Sequence, residues 1–152
     1  MTPEDRIKHL GLVLPPVPTP MANYVPFRLH GDTLYLSGQG PRHPVGHFNT
    51  GKLGRDLTLE QGYQHARIVG LNLLAVAKSA VGELSRIEVL KLFGMVNAVP
   101  EFTDHPKVVN GCSDLFVEVL GEAGRHARSA VGMGSLPNNI SVEIEAVMRV
   151  RR

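Results

Sequence analysis

The chain has a single cysteine, Cys112, and no tryptophan among its 152 residues, and it carries only three tyrosines and five phenylalanines. One cysteine excludes an internal disulfide framework and fits a reducing compartment. So few aromatics leave no visible set of stacking platforms for nucleic-acid bases. Charge of one sign is lacking too. The net charge is +2, and Lys and Arg cluster only at Arg149, Arg151 and Arg152, which argues against a nucleic-acid partner. No apolar run reaches the length of a bilayer-spanning helix. The opening residues, MTPEDRIKHLG, are charged and lack the apolar stretch of a secretory signal. The expected location is therefore cytoplasmic, with no membrane partner. GxGxxG after a strand, the P-loop, CxxC, HExxH and GxSxG are all missing.

What is present is ordinary for a globular protein: 43% hydrophobic and 20% charged residues. The length fits one domain, residues 1–152, of which 1–23 form an N-terminal helix and a Pro-rich arm. Thr2, Pro3 and Asp5 predict a capped helix over 2–10, ended by Gly11. The prolines of LPPVPTP (14–20) force an extended arm laid over the domain. Alternation predicts strands at Tyr24–His30 and Thr33–Gly38, joined by a turn at Gly31-Asp32. Residues 39–57 have no period and read as a long functional or mobile loop. Thr58 and Gln61 form a capping box for a helix to Val81, with small residues Ala66, Gly70 and Ala77 on its apolar stripe. Ile87–Val99 is apolar on both faces and reads as a central strand, with a bulge expected at Gly94. Asp104 caps a second long helix, His105–Leu120, and strands close the chain at 127–133 and 141–150. The order predicts an α+β two-layer domain with both long helices on one face of a mixed sheet.

Two charged residues near the C-terminus stand out. Arg128 and Glu143 fall on the last two strands, where they are expected to face each other across paired strands. A planar guanidinium suits a substrate carboxylate. Ion pairing of Arg128 with Glu143 or Glu145, or a contact between subunits, is the competing reading. Cys112 lies on a buried helical stripe as an inert thiol. His43 and His47 lack a third metal ligand, His65 reads as solvated, and His105 reads as local structure at a helix start.

Arg128-Ser-Ala-Val, Gly134-Ser-Leu-Pro and Val142-Glu-Ile-Glu-Ala together resemble the C-terminal signature of the Rid (YjgF-like) family of reactive-intermediate deaminases. Tyr24, LYLSGQGP (34–41) and VVNGCSDLF (108–116) match in the same order, so the likeness spans roughly residues 24–152. The resemblance implies a chorismate-mutase-like fold, a homotrimer, and ligand clefts at the subunit interfaces. It implies hydrolytic deamination of a small 2-imino acid or its enamine to the 2-oxo acid and ammonia, without cofactor or metal. Arg128 would hold the carboxylate and Glu143 would position water. Tyr24, Ser37, Gly38, Asn110 and Ala130 would line or shape the cleft. The alternative is a non-catalytic trimer that binds a metabolite in the same cleft. An endoribonuclease or translation-inhibitor role, also attached to the family, finds no basic groove here. The sequence departs from the family at three places. Ala130 stands where a cysteine is common, Gly132 replaces a charged residue and would enlarge the cleft, and the 39–57 loop is long.

Overall fold

A computed structural model describes residues 1–20, 22–43 and 45–152. Helix α1 (Pro3–His9) begins as its sequence dictates. Thr2 Oγ1 accepts the Asp5 N–H at 3.1 Å, and the Asp5 carboxylate accepts the Thr2 N–H at 3.0 Å. α1 is fixed to the domain by the buried Ile7, by Arg6 donating to the Val119 carbonyl at 3.0 Å, and by Glu4, which accepts from Lys78 at 3.1 Å and from the Leu84 N–H at 3.2 Å. The arm that follows packs Leu12 and Leu14 against the core, and Arg42 donates to the Pro16 carbonyl at 2.7 Å.

Five strands form one sheet: β1 (Phe27–His30), β2 (Thr33–Gln39), β3 (Ile87–Asn97), β4 (Ala127–Met133) and β5 (Val142–Val150). Their order is β1-β2-β5-β3-β4, with β3 and β4 parallel and every other pair antiparallel. The parallel pair needs a crossover, which α3 (His105–Leu120) supplies. α2 (Leu59–Val81) opens on the expected box, Thr58 Oγ1 accepting the Gln61 N–H at 3.2 Å and Gln61 accepting the Thr58 N–H at 2.9 Å. Both long helices pack on one sheet face, over Leu34, Leu36, Leu92, Ile144, Ala146 and Met148. This is the expected α+β two-layer, chorismate-mutase-like arrangement. Among the described residues no helix is long and apolar enough to cross a membrane.

Several local expectations shift. β1 starts at Phe27 rather than Tyr24, because Pro26 has no N–H to give a ladder. β3 ends at Asn97 rather than Val99: Ala98 still donates to the Met133 carbonyl at 3.3 Å, but beyond Asn97 the chain turns to pair with Leu53, to which Val99 donates at 3.1 Å. The register shift in β3 lies between Val89 and Lys91, not at Gly94. Gly94 instead admits α3: a Cβ there would sit 2.6 Å from Val109 Cγ2. Asp104 occupies the cap position of α3 without a side-chain hydrogen bond, since its backbone (φ −92°, ψ 32°) is not extended. Its carboxylate turns toward Lys107, at 3.8 Å. The 39–57 segment is tied down rather than loose. Leu53 is fully buried, and Lys52 Nζ donates to Asn97 Oδ1 at 2.8 Å and to the Gly134 carbonyl at 2.6 Å.

Candidate active site

Strand β2 shifts register between Leu36 and Gln39, which are separated by Ser37 and Gly38. The shift turns Gly38 toward Glu143 on β5, where a Cβ would lie 2.6 Å from Glu143 Oε2. Only glycine leaves that carboxylate its room. Ser37 locks the preceding segment: its hydroxyl donates to the Val25 carbonyl at 2.7 Å and its N–H to the Pro26 carbonyl at 3.0 Å. Tyr24, Ser37, Gly38 and Glu143 thereby line one cleft of about 750 Å³. Pro18 and Pro20 of the arm and Arg42 and Phe48 of the 39–57 segment line it as well. The Pro-rich arm and the 39–57 segment are therefore walls of this cleft. Sequence reasoning left Arg42 and Phe48 unassigned, because a loop without a period does not reveal what it faces.

Glu143 is half-buried, and among the described residues its carboxylate is in no ion pair or hydrogen bond. Burial, and then the neighbouring Glu145 charge, push its pKa above the ordinary glutamate value. A carboxylate so placed accepts a proton from water more readily than an exposed one.

Arg128 lies elsewhere. It sits on β4, an edge strand, and the expectation that it faces Glu143 across paired strands is overturned, because β3 runs between β4 and β5. Partners in register share a face. Arg128 aligns with Leu92 and Ala146 on the helix-covered face, whereas Glu143 aligns with Met95 and Val131 on the other. The two side chains of one chain thus leave opposite faces of the sheet. A pairing of Arg128 with Glu143 or Glu145 is absent from the ion pairs among the described residues.

The guanidinium is held by α3 instead. Nη1 donates to Asn110 Oδ1 at 2.8 Å and to Ser113 Oγ at 3.0 Å, and Nη2 donates to the Pro106 carbonyl at 3.3 Å. Ala130, two residues along the same face, is aligned with Gly94 and packs against the core. The seven expected site residues therefore fall into two groups: Tyr24, Ser37, Gly38 and Glu143 in the cleft, and Arg128, Asn110 and Ala130 between β4 and α3.

At Gly132 the His105 ring lies in the space its missing Cβ leaves. His105 also meets the Phe102 ring edge-on at 5.5 Å, on the wall of a second cavity of about 590 Å³. His65 is not solvated: its Nδ1 lies 2.8 Å from Ser141 Oγ, and burial lowers its pKa. Cys112 is fully buried, and burial pushes its thiol far up, so it is inert as expected.

A half-buried glutamate beside a bulged strand, and an arginine cradled by the crossover helix, are thus set on a two-layer α+β sheet. A family model described as "YjgF/chorismate_mutase-like, putative endoribonuclease" matches residues 4–145, and the chain belongs to that YjgF/chorismate-mutase-like family. It is 41% identical over 146 residues to "Protein TCP17" of Trypanosoma cruzi, covering 95% of this chain and 91% of that one. It is 28% identical over 135 residues to a "2-iminobutanoate/2-iminopropanoate deaminase" of Dermatophagoides farinae, covering 88% and 91%. Among solved structures it resembles Atu1372 of Agrobacterium tumefaciens, a protein of unknown function, with 47% identity and a TM-score of 0.90 over 98% of this chain and 94% of that one. An endoribonuclease-like protein of Shewanella oneidensis superposes with a TM-score of 0.95 and 38% identity, covering 99% and 100%.

Proposed function

We propose that the protein hydrolyses small 2-imino acids, or their enamine tautomers, to 2-oxo acids and ammonia. The observation that carries this reading is the state of Arg128. Its three acceptors are an amide, a hydroxyl and a carbonyl, so its positive charge stays uncompensated by any carboxylate among the described residues. Such a group suits an anionic ligand. The similarity to the mite deaminase agrees with it.

Because Arg128 and Glu143 leave opposite faces of one sheet, the reading requires two copies of the chain to complete one site. The helix-free face supports self-association. Tyr35 and Val131 are exposed there, beside the partly buried Phe93, Met95 and Val147. A homotrimer is the expected state, as the family resemblance implies. Light scattering should return three times the monomer mass, and a monomer would remove the shared site.

The chemistry asks little of the side chains. Arg128 fixes the substrate carboxylate, and Glu143 takes a proton from water as its oxygen bonds to the imine carbon. Glu143 hands that proton to nitrogen, giving the carbinolamine; its hydroxyl proton then passes to nitrogen through the carboxylate or water as the C–N bond breaks, leaving the 2-oxo acid and ammonia. Orientation and one general base suffice for an already electrophilic carbon.

The test is ammonia release from 2-iminopropanoate and 2-iminobutanoate generated in place by an amino-acid oxidase. Protein no faster than buffer would sink the reading. Saturable carboxylate binding without turnover would instead favour a metabolite-binding trimer.

Glu143→Gln is expected to lower kcat by about 10²-fold or more, the scale of a lost general base. Its melting temperature should be unchanged or higher, because an unpaired half-buried charge is removed. The pH sign follows from the raised pKa. Wild-type rate is retained while Glu143 is ionised and is lost as pH falls through a value above the ordinary glutamate range. The rate remaining in the Gln variant should lack that acid limb.

A further inference from the structure

His126 and Ser113 are absorbed by neither the cleft nor the reaction described above, yet both connect to Arg128. His126 is half-buried just before β4, its ring edge-on to Phe116 at 5.9 Å. Its Nδ1 lies 2.6 Å from the Gly124 carbonyl, and its Nε2 lies 2.9 Å from Ser113 Oγ. A carbonyl can only accept, so Nδ1 carries the hydrogen. In the neutral ring Nε2 is then an acceptor, and the Ser113 hydroxyl must donate to it. That leaves the Ser113 lone pairs turned to Arg128 Nη1, which donates at 3.0 Å. With the ring neutral, every bond runs one way: Arg128 to Ser113, Ser113 to His126, His126 to the Gly124 carbonyl. Burial first, and the Arg128 charge last, hold the His126 pKa below its ordinary value, which favours the neutral ring that this order needs.

The consequence falls on the guanidinium. Arginine has five N–H donors. Three are engaged by Asn110, Ser113 and Pro106, two of them on Nη1. Among the described residues one N–H on Nε and one on Nη2 have no acceptor, and these are adjacent nitrogens, as a bidentate carboxylate requires.

We propose that Ser113 and His126 are positioning residues which, by saturating Nη1, orient Arg128 so that its Nε and Nη2 donors meet the carboxylate of the substrate. The proposal rests on the deaminase reading above. It adds a prediction that reading does not make: the two residues govern affinity for the carboxylate and not the chemical step. An anchor that holds substrate and transition state alike raises KM when loosened and leaves kcat alone.

The experiment compares wild type with Ser113→Ala, His126→Phe and His126→Gln. Glutamine is included because its amide oxygen can stand in for Nε2 as acceptor. Turnover of 2-iminobutanoate gives kcat and KM, calorimetry with the product 2-oxobutanoate gives Kd, and thermal melting tracks the fold. Ser113→Ala and His126→Phe are expected to raise KM and Kd about tenfold with kcat within about twofold. His126→Gln should return both to within about twofold of wild type. Unchanged KM and Kd in Ser113→Ala and His126→Phe would overturn the proposal and leave the deaminase reading standing. So would a fall in kcat and melting temperature together, or no rescue by glutamine. Wild type that neither turns over the imine nor binds 2-oxobutanoate would remove the reading itself, and the proposal with it.

Discussion

Arg128→Ala is expected to lower kcat/KM for 2-iminobutanoate by roughly 10²- to 10⁴-fold. The estimate rests on two charge-assisted hydrogen bonds to the substrate carboxylate, each worth about 1.5–3 kcal/mol. It is a lower estimate if the orphaned carboxylate is left desolvated in a closed site. The variant also abandons Asn110 Oδ1 and Ser113 Oγ, which lose their shared donor. Both are only partly buried, so water can replace the guanidinium, and the fold should hold within about 1 kcal/mol. Arg128→Lys separates charge from shape. An ammonium keeps the charge but not the fork, so it should recover only part of the loss. Initial-rate kinetics with a melting control decides the matter. An alanine variant as active as wild type would show that Arg128 is a structural tie between β4 and α3.

Gly111→Ala carries the largest expected effect on stability. Gly111 lies on α3 where that helix crosses α2, and an added Cβ would run into the Tyr63 carbonyl oxygen. The obstacle is backbone, so no rotamer change relieves it. The helices must separate at the centre of the helical layer, near the fully buried Cys112, Leu115 and Ala66. Overpacking at such a point costs about 3 kcal/mol. The better helix propensity of alanine returns at most about 1 kcal/mol, so the clash wins. For a domain of this size the melting temperature should fall by about 5–10 °C. Gly134→Ala is the control. Among the described residues no atom lies within 4 Å of a Cβ there, and its melting temperature should match wild type. Equal melting of the two variants would mean that the α2–α3 crossing has slack.

Much of the fold was legible because local chemistry and final structure agree. Thr2 with Asp5 and Thr58 with Gln61 announce two helix starts, and both boxes form. The alternation of Val142, Ile144, Ala146 and Met148 against Glu143 and Glu145 separates core face from open face, and burial follows it. The errors came where a local signal had a non-local cause. Gly94 looked like a bulge because glycine weakens strands, whereas its reason is the Val109 side chain of α3 lying over it. His65 looked solvated between polar neighbours, yet Ser141, distant in sequence, meets its ring at 2.8 Å. Ser113 and His126 carried one usable hint. Ser113 stands three residues after Asn110 on a helix, on the face Asn110 shares, and His126 stands two before Arg128.

By itself the sequence determined which segments become helix or strand, which side of each is buried, and which family the C-terminal motifs resemble. Capping, periodicity and residue type are local properties, readable a few residues at a time. Only the tertiary structure decided that β3 separates β4 from β5, and so that Arg128 and Glu143 leave opposite faces of the sheet. Strand order follows from which apolar faces bury each other most completely, a competition among distant segments that no local pattern records. The same competition brought the arm and the 39–57 segment to the cleft beside Glu143, and Ser113 and His126 to the back of Arg128.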